Sequence, residues 1–502
     1  MSRMRAVGVL LGVILGVGSI GGASAAASAA AAGAGASAPA ASGPALAEAT
    51  AEQVGLDAYV YAIPLMEFMR QAERQTSVTI PDSLSDAPLN QLGSARTLAN
   101  AKNQVIVQSN NDTLYTMGHL DLSAGPLVLH VPAIPKHRYY SFEFLDPYTN
   151  VFAYIGMRTT GDGNGNFVIT GPRFKGHLPR GLRRIRSPYE RAWLVGRTLV
   201  YGPGDLAAVH RIQDGYRLIP LADYVKYGLR WAPPRPARVI TKPKVVNVPS
   251  GIAFFDQLGR ALAANPPPRR DAAVLSELRT VGIGPGLEPS REHLSPAVLA
   301  GLRKAADEGP NHISSLRLTL AAKSLGLHDG WFVPPPDTGD YGTDYPWRAV
   351  VAVNGLAANR PAEAMYIIGA TDQAHAVLNG ANDYVIDFAK GQLPPARYFW
   401  SLTLYNQRFF LVANPLNRYE LASHTGGLRY NRDGSLTIYL QHSAPAGHES
   451  NWLPTPASGE FEVTLRLYGP EPSALHGAYR YRRSLARGED EVGALNSASS
   501  QR

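Results

Sequence analysis

The 502-residue sequence contains no cysteine. That excludes disulfides, a thiol nucleophile and a lipid-modified cysteine at a processed N-terminus. A chain of this length can stand without cross-links, because long chains bury a large fraction of their surface. Several chemical motifs are also missing. There is no Gly-x-Ser-x-Gly elbow, no His-Glu-x-x-His helix and no phosphate-cradling Gly-Lys-Ser/Thr loop. After the first 20 residues no segment is apolar for the roughly 20 residues needed to cross a bilayer. Charge of one sign is weak too, with 48 basic and 40 acidic residues. The excess is spread out apart from Arg180, Arg183, Arg184 and Arg186, which read as a solvated turn between strands. No nucleic-acid partner is expected.

What is present begins with Arg3 and Arg5, an apolar run from Ala6 to Ile20, and the small-residue stretches Ala23-Ser24-Ala25 and Ala27-Ser28-Ala29. These are the three parts of a secretory signal peptide, so residues 1–29 are expected to be removed on export to the periplasm or beyond. Cleavage would take the net charge from +8 to +6. Residues 30–45 are rich in Ala, Gly and Ser. They hold too few large apolar side chains to offset the entropy of ordering, and read as a flexible leader.

Helical periodicity runs from Leu46 to Arg74, with Leu56, Tyr59, Ala62, Leu65 and Met66 on one stripe and a kink or restart expected at Pro64. From Gln104 to Val200 the texture changes to short alternating runs, such as Leu127-x-Leu129-x-Val131 and Tyr140-x-Phe142-x-Phe144. Frequent turn residues between them predict an antiparallel sandwich. Helices return at 252–264, 271–281, 296–307 and 313–325. The last third, 366–468, is β again, with Asp433-Gly434 read as a hairpin turn. In the strand around Phe461, Val463, Leu465 and Leu467, one face is apolar, and Glu462, Thr464, Arg466 and Tyr468 line the other. The predicted fold is mainly β with an α-helical middle. Its expected divisions are 46–204 (helix plus sandwich), 205–360 (helical), 361–482 (second sandwich) and a disordered tail over 483–502.

Two stretches carry candidate chemistry. Ser109-Asn110-Asn111-Asp112-Thr113-Leu114-Tyr115 places short polar side chains at the start of a strand. There they either close an Asx-type turn or present a carboxylate at a sheet rim. Asp121, Glu143 and Asp146 are further carboxylates on this side, and Arg138 is expected to pair with Asp112 across strands. The second stretch is Glu449-Ser450-Asn451-Trp452-Leu453-Pro454. Trp452 would either plug the sandwich end or form a stacking platform with the Asn451 amide beside it. Tyr419 and Arg466 supply more aromatic and polar material. Asp162-Gly163-Asn164-Gly165-Asn166 lacks the later positions of a calcium loop and reads as a turn. His442, His448 and Glu449 read as ordinary surface residues, so no metal and no cofactor is expected.

The order of several motifs resembles bacterial exported proteins that pair domain-of-unknown-function families 1254 and 1214. For the first, the match lies in Asn111-Asp112-Thr113-Leu114-Tyr115, Arg138-Tyr139-Tyr140, Asp146-Pro147-Tyr148 and Arg197-Thr198-Leu199-Val200. For the second, it lies in Phe399-Trp400-Ser401-Leu402-Thr403, Asn417-Arg418-Tyr419, Asn451-Trp452-Leu453-Pro454 and Leu465-Arg466-Leu467-Tyr468. One departure is Ser94, where the resemblance implies His. The resemblance implies an immunoglobulin-like sandwich, a helical middle and a jelly-roll-like second sandwich. It implies almost nothing about activity.

The functional expectation is an exported hydrolase acting on a polar extracellular substrate such as a glycan. Asp112, Arg138 and Tyr115 would be catalytic, and Asn111, Asn451, Trp452, Arg466 and Tyr419 would hold a small-molecule or glycan ligand. The alternative is a non-catalytic carbohydrate- or envelope-binding module using the same aromatic and polar surface.

Overall fold

The computed structural model describes residues 43–102, 108–328, 330–481 and 485–486. The signal peptide, most of the leader and most of the tail expected above lie outside the described residues. Among those described, no helix is long and apolar enough to cross a membrane. The fold is mainly β with a helical middle, and the chain divides into two compact units.

The smaller unit comprises residues 43–60 and 249–314 of the described chain. It is built from helix α1 (Gly43–Gln75) up to Val60, together with three helices of the middle region. Labelled in chain order after α2 (Leu206–Gly215) and α3 (Leu221–Tyr227), these are α4 (Ile252–Ala264), α5 (Ala272–Arg279) and the first part of α6 (Pro296–Leu327). Ala58, Tyr59, Phe254, Phe255, Leu258, Leu262 and Leu302 are buried in its interior, whereas Leu56 of the expected stripe is only partly buried. Tyr59 stacks on Phe254 at 4.5 Å between ring centroids. Gly309 is required on α6, since a Cβ there would fall 2.4–2.6 Å from ring atoms of Tyr59.

Two expectations about helices change. α1 does not restart at Pro64, and it starts at Gly43, inside the expected leader. The two helices expected over 296–325 are one, with Pro310 inside it. A single proline removes one N–H, and packing on either side can hold the helix through that loss.

The larger unit comprises 61–248 and 315–481 with 485–486, and holds both sandwiches. In the first, one sheet has the strand order β1 (Gly93–Ser94), β2 (Thr113–Asp121), β8 (Arg191–Leu199), β4 (Tyr140–Leu145), β5 (Val151–Gly156). The facing sheet runs β7 (Arg183–Arg186), β6 (Gly165–Thr170), β3 (Leu127–Val131), β9 (Arg217–Pro220). Leu120, Phe142 and Leu194 of the first meet Leu127, Leu129 and Phe167 of the second in one core. Because β9 pairs with β3, the first sandwich extends beyond the expected boundary at 204. The expected helical domain 205–360 is thus split. Its start completes the sandwich, 249–314 lies in the smaller unit, and the rest, including α7 (Tyr345–Asn354), belongs to the larger.

The second sandwich stacks β10 (Trp331–Phe332), β11 (Ala364–Gly369), β17 (Phe461–Pro470), β13 (Ala396–Asn406), β14 (Glu420–Ala422) on β16 (Trp452–Pro454), β15 (Leu436–Gln441), β12 (Tyr384–Phe388), β18 (Leu485–Ala486). Leu402, Val463, Leu465 and Leu467 pack against Tyr384, Ile386, Ile438 and Leu440. The last strand, β18, lies in the expected tail and pairs with Tyr384 and Val385. Neither sandwich is purely antiparallel, since β6–β7 and β15–β16 are parallel pairs. Asp433-Gly434 does form a turn, with Gly434 at φ +84°. It is not a hairpin, because 428–430 is not a strand and β15 pairs with β12 and β16.

The alternation in β17 holds, but its polar face is not exposed. Glu462, Thr464, Arg466 and Tyr468 are each no more than 3% accessible. That face meets the first sandwich: Tyr139 packs on Phe399 and Tyr468, and Tyr139 Oη donates to Glu363 at 2.8 Å. The two sandwiches therefore join through buried polar side chains, which places ionisable groups where solvent does not compensate them.

Candidate functional site

Asp112 sits on this junction, and its own local turn puts it there. Asn110 Oδ1 accepts from the backbone N–H of Asp112 at 3.0 Å and of Thr113 at 2.9 Å. This is the Asx-type turn expected from the sequence. Asn110 also donates to Tyr115 Oη at 2.6 Å, while Asn111 turns away and donates to Ala99 O. The turn delivers a fully buried Asp112 carboxylate to the second sandwich, where Ser401 Oγ donates to its Oδ2 at 2.8 Å.

From the second sandwich come two residues that sequence reasoning did not single out. Glu420 opens β14, opposite Thr403 of β13. His424 follows in the turn closed by Thr425 N–H to Ala422 O at 2.9 Å. One ligand atom from each of Asp112, Glu420 and His424 lies within 4.8 Å of the others. With both carboxyl groups ionised, each residue also carries a buried atom without a hydrogen-bond partner: Asp112 Oδ1, Glu420 Oε2 and His424 Nδ1. Among the described residues this is the one such group of His and carboxylate side chains. Asp112 is the innermost, while Glu420 and His424 are partly exposed. The His424 ring lies edge-on to Phe399 and to the exposed Tyr201.

The electrostatics follow from burial and crowding. Burial pushes the Glu420 carboxyl well above the usual carboxylate range, the Asp112 charge and hydrogen bond push it further, and Arg466 opposes. Burial lowers His424, with Asp112 opposing, so the imidazole is neutral near pH 7. Arg466 stands opposite Ser401 on β17. Its guanidinium donates to Thr403 Oγ1 at 2.7 Å, Tyr405 Oη at 2.6 Å and Gln108 O at 3.0 Å. It is a positive wall beside the three-residue group.

The other sequence candidates disperse. Arg138 does not pair with Asp112. It makes a two-pronged ion pair with Asp205 at 2.5 and 2.8 Å, donates to Leu199 O and covers the Tyr201 ring. Tyr115 lies under Arg197, which pairs with the buried Glu143 at 2.7 Å. Burial raises Glu143 to about 7, with Arg197 opposing. Asp121 pairs with Arg191, and Asp146 caps its own loop through Tyr148 and Asn150 N–H. The expected carboxylate rim is thus a set of separate structural contacts. Trp452 is no platform, because it is 7% accessible, packs on Val385 and Tyr439, and donates to Gln441 O at 2.7 Å. The Asn451 amide holds backbone groups of Arg429 and Thr437. Tyr419 is buried beside Tyr405 and Leu411. His442 and His448 stay apart from any ligand set, on Thr455 O and the Tyr439 ring. Ser94 bonds Thr116 Oγ1 and lines an open polar cleft of about 510 Å³ with Arg96, Gln213 and Asp214.

Glu420 and His424 had no legible signature. A Glu-x-x-x-His spacing aligns two side chains on a helix, yet here it spans a strand end and a turn. Only the fold brings Asp112 to them across more than 300 residues of sequence.

With this geometry in place, comparison with known proteins finds two family models that match parts of the chain. The models of two families, each described as "Protein of unknown function", match: DUF1254 over residues 89–220 and DUF1214 over 363–472. The chain thus pairs the two domains. Among solved structures, the VPA0106 protein from Vibrio parahaemolyticus is 22% identical with a TM-score of 0.64, over 87% of this chain and 100% of that one, and so shares the fold. A putative uncharacterized protein from Burkholderia cenocepacia is 15% identical with a TM-score of 0.40, over 88% and 94%. No curated protein matches.

Proposed function

We propose that this chain, pairing a DUF1254 with a DUF1214 domain, is an exported hydrolase of a polar substrate, with its reaction centre at Asp112, Glu420 and His424. The observation that carries the reading is the convergence of three buried, unpartnered polar atoms from both domains at one point. Unpaired buried polar atoms are costly, and three that face one point call for a common partner. Hydrolysis needs an atom that takes a proton from water and one that returns it to the leaving group. A neutral imidazole and two carboxyl groups supply both kinds. Export is supported by the basic, apolar and small-residue start of the sequence.

Distance leaves the substrate class open. Glycosidases hold their two carboxyl groups roughly 5–10 Å apart. An oxygen of Asp112 and one of Glu420 lie within 4.8 Å of each other, a bound that selects no single scheme, so esters and amides rank beside glycans. A binding module would have to do without an aromatic platform at Trp452, which is 7% accessible.

The test is a hydrolysis panel of chromogenic esters, amides and glycosides against the parent, Glu420→Gln and His424→Gln. Turnover in the parent that falls at least about 100-fold in both variants, with melting temperatures preserved, is expected. A folded parent that turns over nothing, or variants as active as the parent, would sink the reading.

A further inference from the structure

We infer that Asp112, Glu420 and His424 are the protein ligands of a single divalent transition-metal ion, of the zinc or manganese class, held between the two domains. No motif in the sequence points to a metal, and the site stands on geometry alone. Asp112 is fully buried, and its Oδ1 has no partner although Oδ2 is held by Ser401. Glu420 Oε2 and His424 Nδ1 are buried without partners in the same space. One proton shared between the two carboxyl groups would satisfy those two residues and leave His424 Nδ1 bare. A cation satisfies all three at once. Two carboxylate oxygens and one imidazole nitrogen form a ligand set that zinc or manganese accepts, with positions left for water.

The surroundings supply what a metal site needs around its ligands. Ser401 fixes the Asp112 carboxylate by its second oxygen, as outer hydrogen bonds orient metal ligands elsewhere. Arg466 stays with Thr403, Tyr405 and Gln108 O, so its guanidinium does not neutralise Asp112 through a direct bond. Asp112 is fully buried, and Glu420 and His424 are partly exposed as residues although the ligand atoms themselves are buried. The inference extends the hydrolase reading to the way the water is activated, and only in that last step does it rest on it. An ion here would lower the pKa of its bound water toward about 7 and supply the nucleophile.

The test uses the full processed chain, dialysed against EDTA and titrated with Zn²⁺ or Mn²⁺ by calorimetry, alongside His424→Ala, Asp112→Asn and His448→Ala. About one equivalent should bind to the parent and to His448→Ala and raise their melting temperature by mass action. His424→Ala and Asp112→Asn should weaken binding at least about 100-fold. Because Asp112→Asn also disturbs the Ser401 contact, His424→Ala is the deciding variant, with its metal-free melting temperature as the folding control. Binding that is absent in the parent, or unchanged in His424→Ala, overturns the inference. Full hydrolysis by the metal-free protein would overturn the water-activation step alone and leave the hydrolase reading standing. Stoichiometric metal without turnover of any substrate supports the site and removes the hydrolase reading instead.

Discussion

Arg138 offers the sharpest test of the junction, because the sequence pairs it with Asp112 and the structure pairs it with Asp205. Replacing it, Arg138→Met, removes two charge-assisted hydrogen bonds to Asp205, one to Leu199 O and the contact over Tyr201. Breaking a buried ion pair by losing one partner costs about 3–5 kcal/mol. Asp205 retains 17% side-chain exposure and keeps the Tyr201 N–H as a donor, so the lower end, about 3 kcal/mol, is expected. Asp205→Asn removes the charge and should cost about 2 kcal/mol. Since each change destroys the same pair, the double variant should fall short of additivity by about 1.5 kcal/mol or more. Arg138→Met combined with Asp112→Asn should instead be additive within about 0.5 kcal/mol, because the two residues share no partner. Urea unfolding followed by tryptophan fluorescence at pH 7.5 measures all six proteins. Arg138 holds Asp205 below the ordinary 3.8, although burial opposes. The pair's contribution is therefore complete above that value and is lost as pH falls through the lower folded-state value. A coupling below about 0.5 kcal/mol to Asp205, or above about 1 kcal/mol to Asp112, would refute the assignment.

Two further outcomes rest on burial. His119 is buried, stacked on Trp193 at 5.1 Å and bonded to Gln75 through Nε2, and burial, with Arg74 and Arg191, pushes it down to about 3. Its folded value lies below the unfolded 6.5, so stability is full above 6.5 and falls as acid protonates the unfolded chain, by about 2 kcal/mol at pH 5. His119→Phe should flatten that part of the stability–pH curve, and superimposable slopes would count against it. Trp452→Ala should cost about 3–5 kcal/mol through lost packing while leaving KM for any hydrolysed substrate unchanged. A raised KM at preserved stability would restore the stacking platform.

How much could be read without the fold depends on which contacts are local. The alternation of Leu127, Leu129 and Val131, or of Phe461, Val463, Leu465 and Leu467, is a property of neighbouring residues, and it assigned strands and core faces correctly. The Asx turn at Asn110 is local in the same sense, and so is the spacing of α4. Boundaries failed where long-range packing overrode a local breaker, as in α6 through Pro310 and in β9, which joins a sandwich from inside the expected helical region. The polar face of β17 shows the limit most clearly. Period-two alternation separates polar from apolar residues, but it cannot say whether the polar side meets water or a second sheet.

The sequence by itself determined the absence of thiol chemistry, the order of β and helical segments, the family pairing and the Asp112 turn. Tertiary structure decided everything that depends on which distant side chains meet. It gave Arg138 to Asp205, sealed Trp452 into the interior, and brought Glu420 and His424 to Asp112. The physical reason is that a lone carboxylate, imidazole or arginine carries no record in its neighbours of the partner it will meet. Its charge state and chemistry are set by burial and by groups within a few ångströms in space, and those exist only once the two sandwiches have closed on each other.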